Sequence, residues 1–248
     1  MKTVYILWLR QMIRFWRKKA AVVGALGQPI IFLFALGFGL SPIFAKAGGG
    51  NYIQFISPGI VGMTILFSSI FTGVEIIWDK QFGFLKETFV APVSRFEIML
   101  GKTVGGATVA AIQGILVLLV TLIAGFRFEN LALIPLALLF IILTALLFSA
   151  VGTTIAARLD DMQSFPLIIN FVIQPLFYLS GAILPIDGLP KALGLITKIN
   201  PLSYGVDGLR YALSGVSHFS LWLDLTVLVS LLFVFLIFGA YQFSKIEL

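Results

Sequence analysis

Charge punctuates this chain. Between successive charged residues lie six uncharged runs, 20–45, 47–74, 103–126, 130–157, 162–186 and 225–244. About 20 residues at a rise of 1.5 Å cross a hydrocarbon core of about 30 Å, and every run is that long. Buried helices of a soluble protein are rarely so long or so numerous. Only 11% of the residues are charged, against about 25% in ordinary globular chains. The runs also lack the alternation that barrel strands require. The sequence therefore reads as an all-α integral membrane protein with six transmembrane helices near 22–44, 54–76, 99–124, 131–156, 164–184 and 224–243. The opening residues carry a long basic stretch with no small-residue cleavage site behind a short apolar core, so no cleavable signal is expected.

Lys and Arg set the orientation. Six lie before the first span, four in 79–102, and Arg158 and Lys245 make 12 on one side; Lys46, Arg127, Lys191, Lys198 and Arg210 make five on the other. The positive-inside rule then places both termini in the cytoplasm. The net charge of +6 is thus topological, and no nucleic-acid partner is expected. With no cysteine, thiol chemistry and Cys-based metal sites are excluded.

Two segments outside the spans carry pattern. In residues 1–20, Tyr5, Trp8, Leu9, Met12 and Trp16 recur at helical spacing, with Arg10, Arg14, Arg17 and Lys18 opposite. This predicts an interfacial helix, aromatics dipped into membrane lipids and cations at the headgroups, leaving 21–248 for the six-helix domain. In 79–102, Phe82, Leu85 and Phe89 form one stripe of a short helix that ends near Val90, before Pro92. Ser94 and Glu97 then form a capping box for the third span. A short amphipathic helix held between two spans is a knob that a soluble partner can push.

Three stretches carry a family resemblance. "LKETFVAPVSRFEIMLGK" (85–102), "PLFYLSGAILPIDGLP" (175–190) and "NPLSYGVDGLRYAL" (200–213) resemble, in order, the motifs of type-2 ABC exporter permeases, with the closest similarity to daunorubicin-resistance-type drug and lipid exporters. The resemblance implies a homodimer with two ATP-binding cassette ATPase subunits. ATP and Mg2+ are bound by those partners and no cofactor by this chain, which is not itself an enzyme. It implies that the cytoplasmic helix between spans 2 and 3 is a coupling helix seated in the ATPase. The residues matched to that role are Lys80, Phe82, Phe84, Leu85, Lys86, Glu87 and Arg95. It further implies short re-entrant outer helices before span 6, marked by Asn200, Pro201, Tyr204, Asp207 and Arg210. Spans 1, 2 and 5 would face the dimer seam in the cell membrane, singling out Asn170, Gln174 and Phe177 for the substrate pathway.

Other motifs lose their chemistry on inspection. "GKT" at 101–103 lacks the glycine a phosphate-binding loop needs at position 96, which is Phe, and it opens a helix rather than following a strand. Asp160 and Asp161 lack an acidic partner at Ser164 and suit a helix cap. His218, the only histidine, lies in the outer connection, so no metal site is expected. Asp207 and Arg210 are spaced for a local ion pair. Intramembrane charge is almost absent, with only Glu75, near the cytoplasmic end of the second span, close to the hydrocarbon; this disfavours ion transport and suits a hydrophobic or amphiphilic cargo, drug-like or lipid. A polysaccharide or lipid-linked glycan exporter shares the architecture. A carrier without an ATPase, or a membrane enzyme, is the competing class.

Overall fold

The computed structural model describes residues 2–46, 50–84, 92–159, 161–186 and 190–245. Among them every regular element is helical. The elements are α1 (Lys2–Arg17), α2 (Lys19–Lys46), α3 (Tyr52–Gln81), α4 (Arg95–Ile123), α5 (Ile134–Arg158), α6 (Ser164–Tyr178), α7 (Lys191–Ile199), α8 (Pro201–Ser214) and α9 (Leu221–Ser244).

Local chemistry sets the starts. Asn51 caps α3 by accepting from the amide of Ile53 at 3.0 Å. Ser94 caps α4 by accepting from the Glu97 amide at 3.1 Å, half of the capping box. The Glu97 carboxylate reaches back to the Ser94 backbone amide, which completes the box, and it also accepts from the Thr3 hydroxyl at 3.2 Å, tying α4 to α1. Asn200 caps α8 through the Leu202 amide at 3.0 Å, with Pro201 in the first turn. Asp161 accepts from the amide and hydroxyl of Ser164 at 2.7 and 3.1 Å, the helix-capping role expected of the acidic pair; Asp160 lies outside the described residues. That amide bond holds the Asp161 carboxyl below its usual range.

Side-chain partners fix the direction of each helix. Lys80, late in α3, bonds carbonyls at the end of α5, and Arg158 at the end of α5 sits over Phe238 near the end of α9. The ends of α3, α5 and α9 therefore share one pole with the start of α4 and with α1, here called the basic end. At the far end, Gln54 brackets Arg127, bonding its amide and its carbonyl at 2.9 Å each.

Helix α3 is the hub of the bundle. Two-thirds of its apolar window (67%) is buried, against 17% for α2 and 11% for α9. The last two therefore present broad apolar faces outward, as lipid-facing helices do.

Among the described residues, five helices are long and apolar enough to cross a membrane. The expected span at 164–184 is an apolar helix of 15 residues, about 22 Å at 1.5 Å per residue. A π-helical turn occupies Ile169–Ile173, and the helix stops at Leu179, before Gly181 at φ 76°. The stretch still climbs the full flank of α3. Phe165 meets Phe71 at 5.8 Å and Phe177 meets Phe67 at 6.1 Å between ring centroids. Higher up, Ala182 seats on Gly59, and the carbonyl of Ile183 accepts from the Tyr52 hydroxyl at 2.9 Å.

The amphipathic N-terminal segment is helical, yet its buried side is Leu7, Met12 and Phe15. The indole of Trp8 donates to Thr108 at 3.1 Å. Leu7 and Gln11 pack on Gly101 and Gly105, where an added Cβ would meet them at 2.9 and 3.0 Å. The glycine of "GKT" thus belongs to a small-xxx-small seat for α1.

Candidate functional site

The basic end is built from two matched ladders. Arg10 and Arg14 stand four residues apart on α1, and Glu75 and Asp79 four apart on α3, so each pair shares a helix face. Arg10 forks onto Asp79 at 2.9 and 3.3 Å. Arg14 reaches Glu75 at 3.4 Å and Asp79 at 3.3 Å. Lys102 of α4 completes the set by pairing with Asp79. The Asp79 and Lys102 side chains are 5% and 8% exposed. A carboxylate this buried is tolerable because three cations surround it.

The side chains expected to couple to a partner start directly after this hub. Lys80 belongs to the last turn of α3 and donates to the carbonyls of Ala157 and Leu159 at 3.3 and 3.2 Å. Phe82 is 82% exposed. The ring of Phe84 lies 3.7 Å from the Arg10 guanidinium carbon, a cation–π contact. Arg95 opens α4, half-buried. Leu85, Lys86 and Glu87, with the expected helix end near Val90, lie outside the described residues. Arg10 and Arg14, set towards headgroups by periodicity alone, are turned inward. The matched four-residue spacings of the two arginines and two acids were the signal for it.

At the far end the expected motif is brought together. The Asn200 amide donates to Leu176 at 2.6 Å while its oxygen caps α8. The Tyr204 hydroxyl donates to the Lys198 carbonyl, and its ring stacks on Phe219 at 4.9 Å. Burial raises the Tyr204 phenol above its usual value, with the nearby Asp224 adding to the rise. Asp207 accepts from the amides of His218 and Phe219 at 2.8 to 3.0 Å. Arg210 donates to Gly181 at 2.8 Å and lies 4.4 Å from the Phe55 ring centroid. The Asp207 and Arg210 side chains thus pin the 181 and 218–219 connections onto α8.

The three residues set on the substrate pathway part company. Asn170 is exposed, inside the π-helical turn, and Gln174 is half-buried. Phe177 is 1% exposed and belongs to the core. On the outer face of the same helix, Phe171 is 78% exposed.

Comparison with known proteins now decides the family. The profile of the ABC-2 type transporter family matches residues 2–214. The chain belongs to the ABC-2 type transporter family. Nodulation protein J of Rhizobium leguminosarum bv. trifolii is 30% identical over 215 residues, 84% of this chain and 80% of that protein. Nodulation protein J of Rhizobium meliloti (strain 1021) is 31% identical over 206 residues, 81% and 77% of the two chains. The ycf38 permease of Porphyra purpurea is 28% identical over 253 residues, 96% and 86%. The matched region of this ABC-2 type chain takes in both poles, the charge hub and the motif on α8. Its five apolar helices mark a multi-pass membrane protein.

Proposed function

We propose that the chain is the permease subunit of an ATP-driven exporter for a hydrophobic or amphiphilic cargo. Two copies and two ATP-binding cassette subunits make the working unit in the cell membrane. The basic end faces the cytoplasm, in line with the excess of Lys and Arg there. The stretch from Ser164 to Ile183 serves as a sixth passage, a reading its climb along α3 supports. The apolar side chains left exposed on α1, Tyr5, Leu9 and Trp16 (59%, 37% and 64%), suit contact with the interface of the membrane. α7 and α8 form the re-entrant outer cap.

One observation carries the coupling. Phe82 stands exposed where the most buried of the long apolar helices ends, one turn past a locked charge hub. An exposed aromatic on a rigid base is what a docking cleft grips, and force applied there reaches α1, α4 and α5 through Asp79 and Lys80.

The test is co-purification with a cassette ATPase, followed by ATP-dependent cargo movement in vesicles. The complex is expected to hydrolyse ATP and the permease alone to show none. ATP turnover by the purified chain alone would overturn the reading.

A further inference from the structure

Two cavities meet at Lys18, Phe71 and Glu75. The first, about 400 Å3, is framed by α1, α2, α3 and α4. The second, about 340 Å3, lies between α3 and α6 against Trp78 and Phe165. Their walls are chemically divided. Phe67, Phe71 and Met63 supply apolar surface, while Arg14, Lys18 and Glu75 stand at the basic end of the space.

Polar groups on spanning helices usually satisfy one another or their own backbone. Thr64 and Thr72 do so, donating to Ile60 and Ser69 at 2.8 and 2.6 Å. Gln113 and Ser68 line the first cavity and, among the described residues, make no side-chain hydrogen bond. Gln113 is only 5% exposed. Its amide is not sealed in protein but opens onto the cavity, where only an occupant can answer it. The charges are unequal too. Arg14 is engaged by both Glu75 and Asp79, whereas Lys18, among the described residues, has only the Trp78 ring, 5.5 Å away.

We propose that this joined cavity binds an amphiphile with an anionic headgroup. The anion sits at Lys18, its hydroxyl or amide groups meet Ser68 and Gln113, and its apolar part follows Phe67 and Phe71. The site lies within one protomer, behind α1. Its role in loading cargo rests on the permease reading above; the binding itself does not. The same chemistry describes an acidic membrane lipid that stays and an anionic cargo that moves.

The test uses the full chain in phosphatidylcholine vesicles containing a trace of diazirine-tagged phosphatidylglycerol or diazirine-tagged phosphatidylcholine. After photolysis, labelled peptides are mapped by mass spectrometry. The phosphatidylglycerol probe is expected to label 63–75 and 109–113, and the phosphatidylcholine probe to do so far less. Lys18→Gln is expected to lower labelling about tenfold, the scale of one charge-assisted contact, with Gln113→Leu lowering it independently and Trp222→Phe leaving it unchanged. Equal labelling by both probes, labelling confined to α9, or indifference to both Lys18→Gln and Gln113→Leu would overturn the proposal. With the ATPase and ATP present, loss of the probe from the cavity and its arrival in the opposite leaflet assign it as cargo; retention assigns it as resident lipid. Export without this labelling sinks the site alone, and labelling without capture of an ATPase sinks the permease reading alone.

Discussion

Gly59 and Ala182 are in backbone contact: a Cβ at Gly59 would lie 2.1 Å from the Ala182 carbonyl oxygen. No rotamer change relieves such a clash, because the opposing atom is main chain. This contact is what lets the chain beyond α6 lie flat on the hub helix.

Gly59→Ala is therefore expected to destabilise the bundle by about 3 kcal/mol, the upper range for overpacking. Gly27→Ala in α2, where an added Cβ meets nothing within 4 Å, is expected to be neutral or stabilising by up to about 1 kcal/mol. Thermal unfolding of both variants in detergent checks the contrast; equal melting temperatures would refute the close approach.

The charge hub predicts an asymmetry between its members. Asp79→Asn leaves three cations facing one another and is expected to cost about 3–5 kcal/mol, as breaking a buried pair does. Arg10→Gln leaves Lys102 and Arg14 to hold Asp79, and its cost is expected to be about 1 kcal/mol. The order of the two melting temperatures decides it.

Phe82→Ala removes an exposed ring, so folding is expected to be unaffected within about 0.5 kcal/mol. Capture of the cassette ATPase is expected to weaken by about 2 kcal/mol or more, roughly 30-fold. Glu87→Lys is expected to act in the same direction. Pull-down and cargo-stimulated ATP hydrolysis read both, and wild-type behaviour in both variants would remove the coupling assignment.

Single cysteines report the seam cleanly, since the chain has none of its own. Cysteine at Asn170 or Phe171 is expected to cross-link to its copy in the partner permease. Cysteine at Phe177 is expected not to, and to cost about 3 kcal/mol of stability through the cavity left in the core. Cross-links restricted to α4 or α5 would reject a seam at α6.

Acid is expected to loosen the start of α6. The Asp161 carboxyl is held below its usual value in the folded chain by the Ser164 amide, so its contribution is present above the unfolded value of about 3.9 and lost as pH falls through the folded one. Protection of the 164–168 amides, after correction for the intrinsic pH dependence of amide exchange, is expected to fall below about pH 4 in the wild type and to stay level in Asp161→Ala.

The five long helices were legible because hydrocarbon imposes a minimum length that the uncharged runs display openly. The caps at Ser94, Asp161 and Asn200 were legible because their partners lie within three residues. α6 was not. Its run, 162–186, is as apolar as the others, and neither the π-helical turn nor the stop before Gly181 leaves a mark in hydropathy. The hub was only half legible: the four-residue spacings of Arg10 with Arg14 and of Glu75 with Asp79 stand in the sequence, but Arg10 and Asp79 are separated by 69 residues, and helical periodicity speaks only of neighbours within a turn or two. Phe177 was misplaced because an aromatic on an apolar helix has no sequence feature that separates core from seam.

The seat of α1 on α4 has a consequence for how the protein is made. Trp8 and Thr108 are separated by 100 residues, so α1, made before α4, waits for the third span to be synthesised before Gly101 and Gly105 exist to receive it. Until then its apolar side has only the membrane surface to rest on, and Asp79 awaits Lys102. Closing this long loop is a late, non-local step, slow by nature, and the nascent chain passes through a stage in which α1 is a peripheral tenant of the bilayer.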